Sequence, residues 1–208
     1  MHIIWFEGAE MNKISKHYDI LLENGNDPCY DSVELAKYMD GYDGEIFIEQ
    51  LEIEPSKVIL EIGCGTGRIA RKIAPLCKKY VGIDVAQKTT ERAILNLNDA
   101  VNTQIVNGDF LKFNFGALQF DVICSTLTFM HVKNKKKAVK KAYKLLKVGG
   151  KFVVSIDKNQ AKIIDAGYTK IRVYPDNPQN FQKILHNVGF NEIKIYENKN
   201  AFILSAIK

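Results

Sequence analysis

Val58-Ile59-Leu60-Glu61-Ile62 is a short apolar run that stops at glycines, and it predicts a buried strand. Ahead of it the apolar positions keep a different period. Ile14, Tyr18, Leu21 and Leu22 fall at helical spacing, and so do Val33, Leu35, Ala36 and Met39. Asn24-Gly25-Asn26-Asp27-Pro28 separates the two stretches with turn chemistry. Phe47, Ile48 and Leu51 continue a helix that ends near Pro55, so residues 11–52 read as amphipathic helices. Residues 1–10 hold Ile3, Ile4, Trp5 and Phe6 beside Glu7 and Glu10, with no Lys or Arg. They read as a loosely ordered leader, not as a signal peptide.

After the first strand the two periods alternate. Helices are expected over 67–77, 87–99 and 133–147, and strands over 80–83, 104–106 and 120–124. A further strand over 151–156 follows Gly149-Gly150. Such alternation predicts an α/β fold, a parallel sheet with helices on both faces. The last part differs. A helix over 178–188 stops at Gly189. Residues 191–196 then alternate, with Ile193 and Ile195 inward and Glu192 and Lys194 outward. Asn198-Lys199-Asn200 is a turn and residues 201–207 are apolar again. This is a hairpin that closes the parallel sheet with one antiparallel strand. Residues 158–176 read as a short helix and then a strand from Lys170 to Tyr174.

A length of 208 residues fits one domain, with room for a small lid, and excludes a large multidomain machine. Hydrophobic residues at 46% and charged residues at 25% are the balance of a globular chain able to bury its own core. The formal charge of +5 permits an acidic partner without demanding one, and much of it comes from one lysine-rich stretch. Cys29, Cys64, Cys77 and Cys124 form no CxxC pair, and no His stands at zinc-site spacing from them, so no metal is expected. Reduced thiols and a cytoplasmic location are expected instead. No apolar run approaches the roughly 18 residues of a membrane helix.

The chemistry concentrates in Glu61-Ile62-Gly63-Cys64-Gly65-Thr66-Gly67, between the first strand and a helix. Three glycines in five residues leave the backbone free to turn tightly and to touch a ligand. The helix start beyond them offers free N–H groups and a partial positive charge. The spacing is GxGxG, a near miss to the dinucleotide fingerprint GxGxxG. Asp84 ends the second strand and would accept two ribose hydroxyls, or cap the next helix. Asp109, after the third strand, would take an exocyclic amino group of a base, or serve as a turn residue. Ser125, Thr126, Thr128 and His131 follow the fourth strand at the same sheet edge. His131 is a candidate general base with a pKa near neutrality, or it packs under the following helix. Phe129 and Met130 beside it are core or substrate contacts.

With these residues the sequence resembles the class I S-adenosylmethionine-dependent methyltransferases. The resemblance is carried by residues 58–67, then Val81-Gly82-Ile83-Asp84, Gly108-Asp109-Phe110, Phe120-Asp121-Val122-Ile123 and residues 145–152, in that order. It implies a Rossmann-like, doubly wound, seven-stranded sheet with a reversed last strand. Residues 1–54 would be leader and helical lid, and residues 55–208 the cofactor-binding domain. It implies S-adenosyl-L-methionine as cofactor and S-adenosyl-L-homocysteine as product. Gly63, Gly65 and Gly67, with Cys64 and Thr66 between them, would flank the methionine and ribose. Asp84, with Val85, would hold the ribose, and Asp109 and Phe110 would lie beside the adenine. Glu61 would orient the amino group or the loop, and Ser125 completes the cofactor set. Tyr18 in the lid, with Thr126 and Met130, would face the substrate, and His131 is the candidate catalytic group.

A small-molecule methyl acceptor is expected. Ser125-Thr126-Leu127-Thr128 stands where base-modifying relatives carry Asn/Asp-Pro-Pro-Tyr/Phe. Lys133, Lys135, Lys136, Lys137, Lys140, Lys141, Lys144 and Lys147 read as a solvated helix face opposite an apolar stripe. An electrostatic footprint for RNA is the alternative, and no interleaved aromatics offer a stacking platform to support it. An NAD-dependent oxidoreductase and a non-catalytic cofactor-binding protein are the remaining readings. The missing second domain weighs against the first of these, and catalytic turnover decides the other. The oligomeric state cannot be read.

Overall fold

The computed structural model describes residues 4–208, with side chains from residue 11 onward. Its centre is a seven-stranded sheet in the order β3-β2-β1-β4-β5-β9-β8. The strands are β1 (Val58–Ile62), β2 (Lys79–Asp84), β3 (Thr103–Asn107), β4 (Phe120–Ser125), β5 (Leu146–Asp157), β8 (Asn191–Glu197) and β9 (Ala201–Ile207). β9 runs antiparallel to both β5 and β8, and the other pairings are parallel. The chain winds outward from β1 to β2 and β3, then restarts on the other side of β1 with β4. Open α/β sheets bind ligands at such a reversal, outside the strand carboxyl ends.

The sheet is buried on both faces because neighbouring strand residues point opposite ways. Leu60, Ile62, Val81, Ile83, Phe120 and Phe152 join Phe181 and Leu185 of α7 (Pro178–Val188) on one face. Ile59, Tyr80, Val122, Val153 and Ile203 meet Ile69 and Ile73 of α4 (Arg68–Ile73) on the other. Local chemistry sets the helix ends. α7 starts with Asn177 accepting the N–H groups of Gln179 and Asn180, has Pro178 at its first position, and stops at Gly189 with φ +113°.

Four helices cover the rest: α1 (Ile4–Glu23), α2 (Val33–Asp43), α3 (Glu45–Leu51) and α5 (Gln87–Asn96). Residues 1–3 of the expected leader lie outside the described residues, and from Ile4 the chain is already helical. α3 is part of the core: Phe47 and Leu51 are fully buried among Ile59, Ile69 and Val153. The layer over the site is therefore α1 and α2. Asp19 of α1 accepts the Lys88 N–H at 3.0 Å and the Thr89 N–H at 3.4 Å, capping α5 from a distant helix.

Three expectations need correction. Residues 158–176 hold no helix. They form a small hairpin, β6 (Ile163–Asp165) against β7 (Lys170–Arg172), because Gly167 at φ +82° makes the turn and the Ala166 N–H reaches the Thr169 carbonyl. In β8 the alternation slips where Glu192 adopts φ +47°, so Ile195 comes out 36% exposed while Tyr196 packs inward. α6 (Lys135–Leu145) ends two residues early, and β5 begins at Leu146 ahead of an irregular step through Gly149 at φ +75°.

Candidate functional site

The glycine loop leaves β1 and is bound at once to β2, the Gly63 N–H donating to the Ile83 carbonyl at 2.8 Å. Its glycines are needed for different reasons. Gly63 has φ +76°, and a Cβ there would lie 2.0 Å from Thr128 Oγ1. Gly65 has φ +55° with nothing within 4 Å of a Cβ, so its backbone faces open space. Above the loop is a cavity of about 430 Å3, lined by Glu61, Gly63, Cys64, Gly65, Thr66, Asp84, Val85, Asp109, Phe110, Thr126, Met130 and His131, with Tyr18, Leu35 and Met39 from α1 and α2.

Two of the predicted cofactor residues do not line it. Gly67, at φ +96°, starts α4 and turns toward Leu97, 3.1 Å from a would-be Cβ. Ser125 is fully buried, and its hydroxyl donates to the Ile62 carbonyl at 2.8 Å, tying β4 to β1.

Asp84 ties the glycine loop to the segment that leads into α5. One carboxylate oxygen accepts the Gly65 N–H and the other the Ala86 N–H, each at 3.0 Å. Burial raises its pKa, and these backbone N–H groups pull the other way. Asp109 accepts the Leu111 N–H at 2.8 Å, and Lys112 stands 3.7 Å away. Glu61 is buried and accepts the Tyr80 hydroxyl. Burial pushes its pKa up to about 8, against the Tyr80 hydrogen bond and the Arg68 charge.

Sequence reasoning missed the pair that fastens α2 to the site. Arg68, first in α4, grips the fully buried Asp43 at the end of α2 with both guanidinium arms, one at 2.9 Å. Thr126 donates to the same carboxylate at 2.7 Å. A signal was present: an acid in the last turn of a helix and a base in the first turn of another both oppose their helix dipoles. Cys29 adds a further tie, its thiol donating to the Thr66 carbonyl at 3.2 Å.

Tyr18 and His131 meet across the cavity, Tyr18 Oη to His131 Nε2 at 2.7 Å, with the rings edge to face. Next to Tyr18, His17 Nδ1 lies 3.1 Å from Thr169 Oγ1 of the β6–β7 hairpin. Burial, then the charges of His17 and Lys135, hold the His131 pKa down to about 4 instead of near neutrality. The Tyr18 pKa is pushed up, mainly by burial. His131 is therefore neutral at physiological pH and a weaker base than its residue type suggested. Below pH 6.5 the unfolded chain takes up this proton before the folded one. Stability is expected to fall from pH 6.5 toward about 4 by on the order of 3 kcal/mol from this group. Urea midpoints at pH 7 and 5 test this, and His131→Gln should flatten the slope; an unaltered slope would refute the assignment.

The match to known proteins falls on these elements. Residues 60–154 match the model of the methyltransferase domain family. Over these residues the chain is similar to methyltransferase domains. An uncharacterized methyltransferase of Anoxybacillus flavithermus is 36% identical over 120 residues, 56% of this chain and 55% of that protein. Phosphoethanolamine N-methyltransferase 3 of Arabidopsis thaliana is 27% identical over 165 residues, 76% of this chain and 33% of that protein. The chain thus spans about half or less of the curated relatives it matches. Among solved structures, the N-methyltransferase NodS of Bradyrhizobium japonicum, in complex with S-adenosyl-l-homocysteine, has the same fold. Its TM-score is 0.70 at 18% identity, over 94% of this chain and 98% of that one. No described helix is long and apolar enough to cross a membrane.

Proposed function

We propose that the chain binds S-adenosylmethionine over the glycine loop and transfers its methyl group to a small-molecule acceptor, as a cytoplasmic enzyme. The observation that carries this reading is one cavity that joins the open backbone at Gly65 to the strand-end carboxylate of Asp84. The group fits the residues present. Asp84 and Asp109 can accept hydroxyl and amino donors, and Gly65 admits a ligand against the backbone.

The sulfonium supplies a methyl group already activated for displacement. The protein's task is then to orient and enclose, an effect worth about 7–11 kcal/mol when alignment is good. The glycine loop is fixed by Asp84 and Ile83, and its flank by Asp43 through Arg68. α1 and α2 act as the lid and exclude water, with Tyr18 closing onto His131. In that arrangement His131 is a positioning residue. A small acceptor is supported by this roof and by the N-methyltransferase relatives. Lys112, Lys133 and Lys137 on the cavity rim favour a second reading, an RNA acceptor. Salt-dependent RNA binding lost on reversal of Lys133 and Lys137 would support it.

Titration calorimetry tests the main reading. S-adenosylmethionine and S-adenosylhomocysteine are expected to bind and NAD is not. Asp84→Ala should weaken both by at least tenfold, since a hydrogen bond to a charged group is worth about 1.5–3 kcal/mol. Tight NAD binding with no response to either sulfur compound would overturn the proposal.

A further inference from the structure

α2 gives little of its apolar side to the core. Only Gly41 and Asp43 of this helix are buried. Leu35, Tyr38, Met39 and Tyr42 fall at helical spacing on one face, yet Leu35 is 44% exposed and Tyr38 51%. Tyr38 and Tyr42 cover each other, rings edge to face and hydroxyls 2.9 Å apart. Leu35 and Met39 instead line the cavity over the glycine loop. Met11 and Ile14 of α1 line it as well, with Leu127 and Met130 from the turn after β4. Three of the chain's four methionines thus meet in one cavity. Methionine is unbranched and flexible, and it moulds to apolar ligands of irregular shape.

The charged groups of this lining are engaged or stand in solvent. Asp84 and Asp109 belong to the donor seat. Arg68 is gripped by Asp43 and its charge reaches Asp31, and Glu61 accepts the Tyr80 hydroxyl. The rim lysines are exposed. What remains beside the glycine loop is an apolar surface with few polar points, the usual make-up of a site for a small organic molecule.

Two independent observations at the turn after β4 point to a ligand in this cavity. His131 lines it and is nine-tenths buried, and with Nε2 taken by Tyr18 its Nδ1 has no hydrogen-bond partner among the described residues. Buried polar atoms are almost always satisfied, so one polar group of a bound molecule would complete it. Leu127 has φ +52°, a conformation that opposes its side chain, and such strain collects at ligand sites. The surroundings also choose the charge. The burial and the positive groups His17 and Lys135 that disfavour a proton on His131 disfavour an ammonium ion beside it.

We propose that the methyl acceptor has an apolar body, held between Leu35 and Met39 of α2 and the turn after β4, and that its head is a phenolic hydroxyl or a thiol that meets His131. The proposal rests on the donor-site reading above and adds the class of acceptor. Phenols and thiols give up a proton far more readily than alcohols, so no strong base is needed. The proton passes to water. A lone pair on oxygen or sulfur then bonds to the methyl carbon, and the bond from that carbon to the sulfonium breaks with its electrons left on sulfur.

The test titrates protein saturated with S-adenosylhomocysteine with phenols and thiols whose alkyl or aryl bodies grow in size. Amines and carboxylates on the same bodies, and thiols on short polar bodies, are the controls. Methylated product is sought by mass spectrometry with S-adenosylmethionine. Affinity is expected to rise with each added methylene, the controls to bind at least tenfold more weakly, and the bound phenols or thiols to be methylated. Leu35→Gln should weaken their binding at least tenfold while S-adenosylhomocysteine still binds. Met39→Gln should do the same and serves if the first variant does not fold, and Met39→Leu should bind as the unmodified protein does. Affinity indifferent to apolar size or to these variants overturns the inference. So do tighter binding of the charged controls, an empty panel on protein that takes up S-adenosylhomocysteine, and binding without methylated product. Failure of the unmodified protein to bind S-adenosylhomocysteine would instead overturn the donor-site reading.

Discussion

Asp43→Ala is expected to lower the melting temperature by on the order of 10 °C, from a loss of about 3–5 kcal/mol. Asp43 is fully buried and is the shared partner of both Arg68 guanidinium arms and the Thr126 hydroxyl. Without it the Arg68 charge is left in a poorly hydrated place, and that uncompensated charge is the main cost. The pair as a whole contributes much less than its rupture costs, so Asp43→Leu combined with Arg68→Met should recover most of the loss. The single variant should also weaken S-adenosylmethionine binding, because Arg68 directly follows the glycine loop. A scanning-calorimetry shift under 2 °C would show that the pair does not clamp α2 to the glycine loop.

The second large effect is at Gly63. Alanine there would place its Cβ 2.0 Å from Thr128 Oγ1 and 2.5 Å from Thr128 Cγ2, in a backbone region costly for side chains. The loop and the turn after β4 cannot both keep their positions. We expect S-adenosylhomocysteine binding by Gly63→Ala to fall at least a hundredfold, about 2.7 kcal/mol. Gly65→Ala makes the contrast, since nothing lies within 4 Å of its Cβ. It should stay folded, at a backbone cost of about 1–2 kcal/mol, and lose affinity through the methyl group it puts into the ligand's space. Similar behaviour of the two variants would undo the distinction between a packed glycine and an open one.

The centre of the sheet was legible in the sequence because β1 and β2 are apolar runs stopped by glycine or aspartate, each followed by a helical period. β1 falls on the predicted residues, and α7 spans the predicted 178–188 and stops at the predicted glycine. The site was legible where backbone demands leave a mark, at Gly63, Gly65 and Asp84. It was illegible where long-range partners decide. Gly67 and Ser125 look like ligand contacts by position, but one is turned toward Leu97 and the other is used to join two strands. The lowered basicity of His131 depends on its burial beside Tyr18 and Lys135, which no local pattern shows. The hairpin over 158–176 was obscured because three-residue strands carry too few positions to show a period.

The place of β9 has a consequence for biosynthesis. Residues 201–207 lie between β5 and β8, although β8 is made first. While the ribosome is still adding these residues, β5 offers an open edge and β8 has nothing to join. The helix-covered half around β1, β2 and β4 can form during translation, but the other half has to wait for residue 207. A nascent chain stalled before that point would carry an unpaired strand edge, the kind of surface that chaperones shield and that crowded neighbours pair with by mistake.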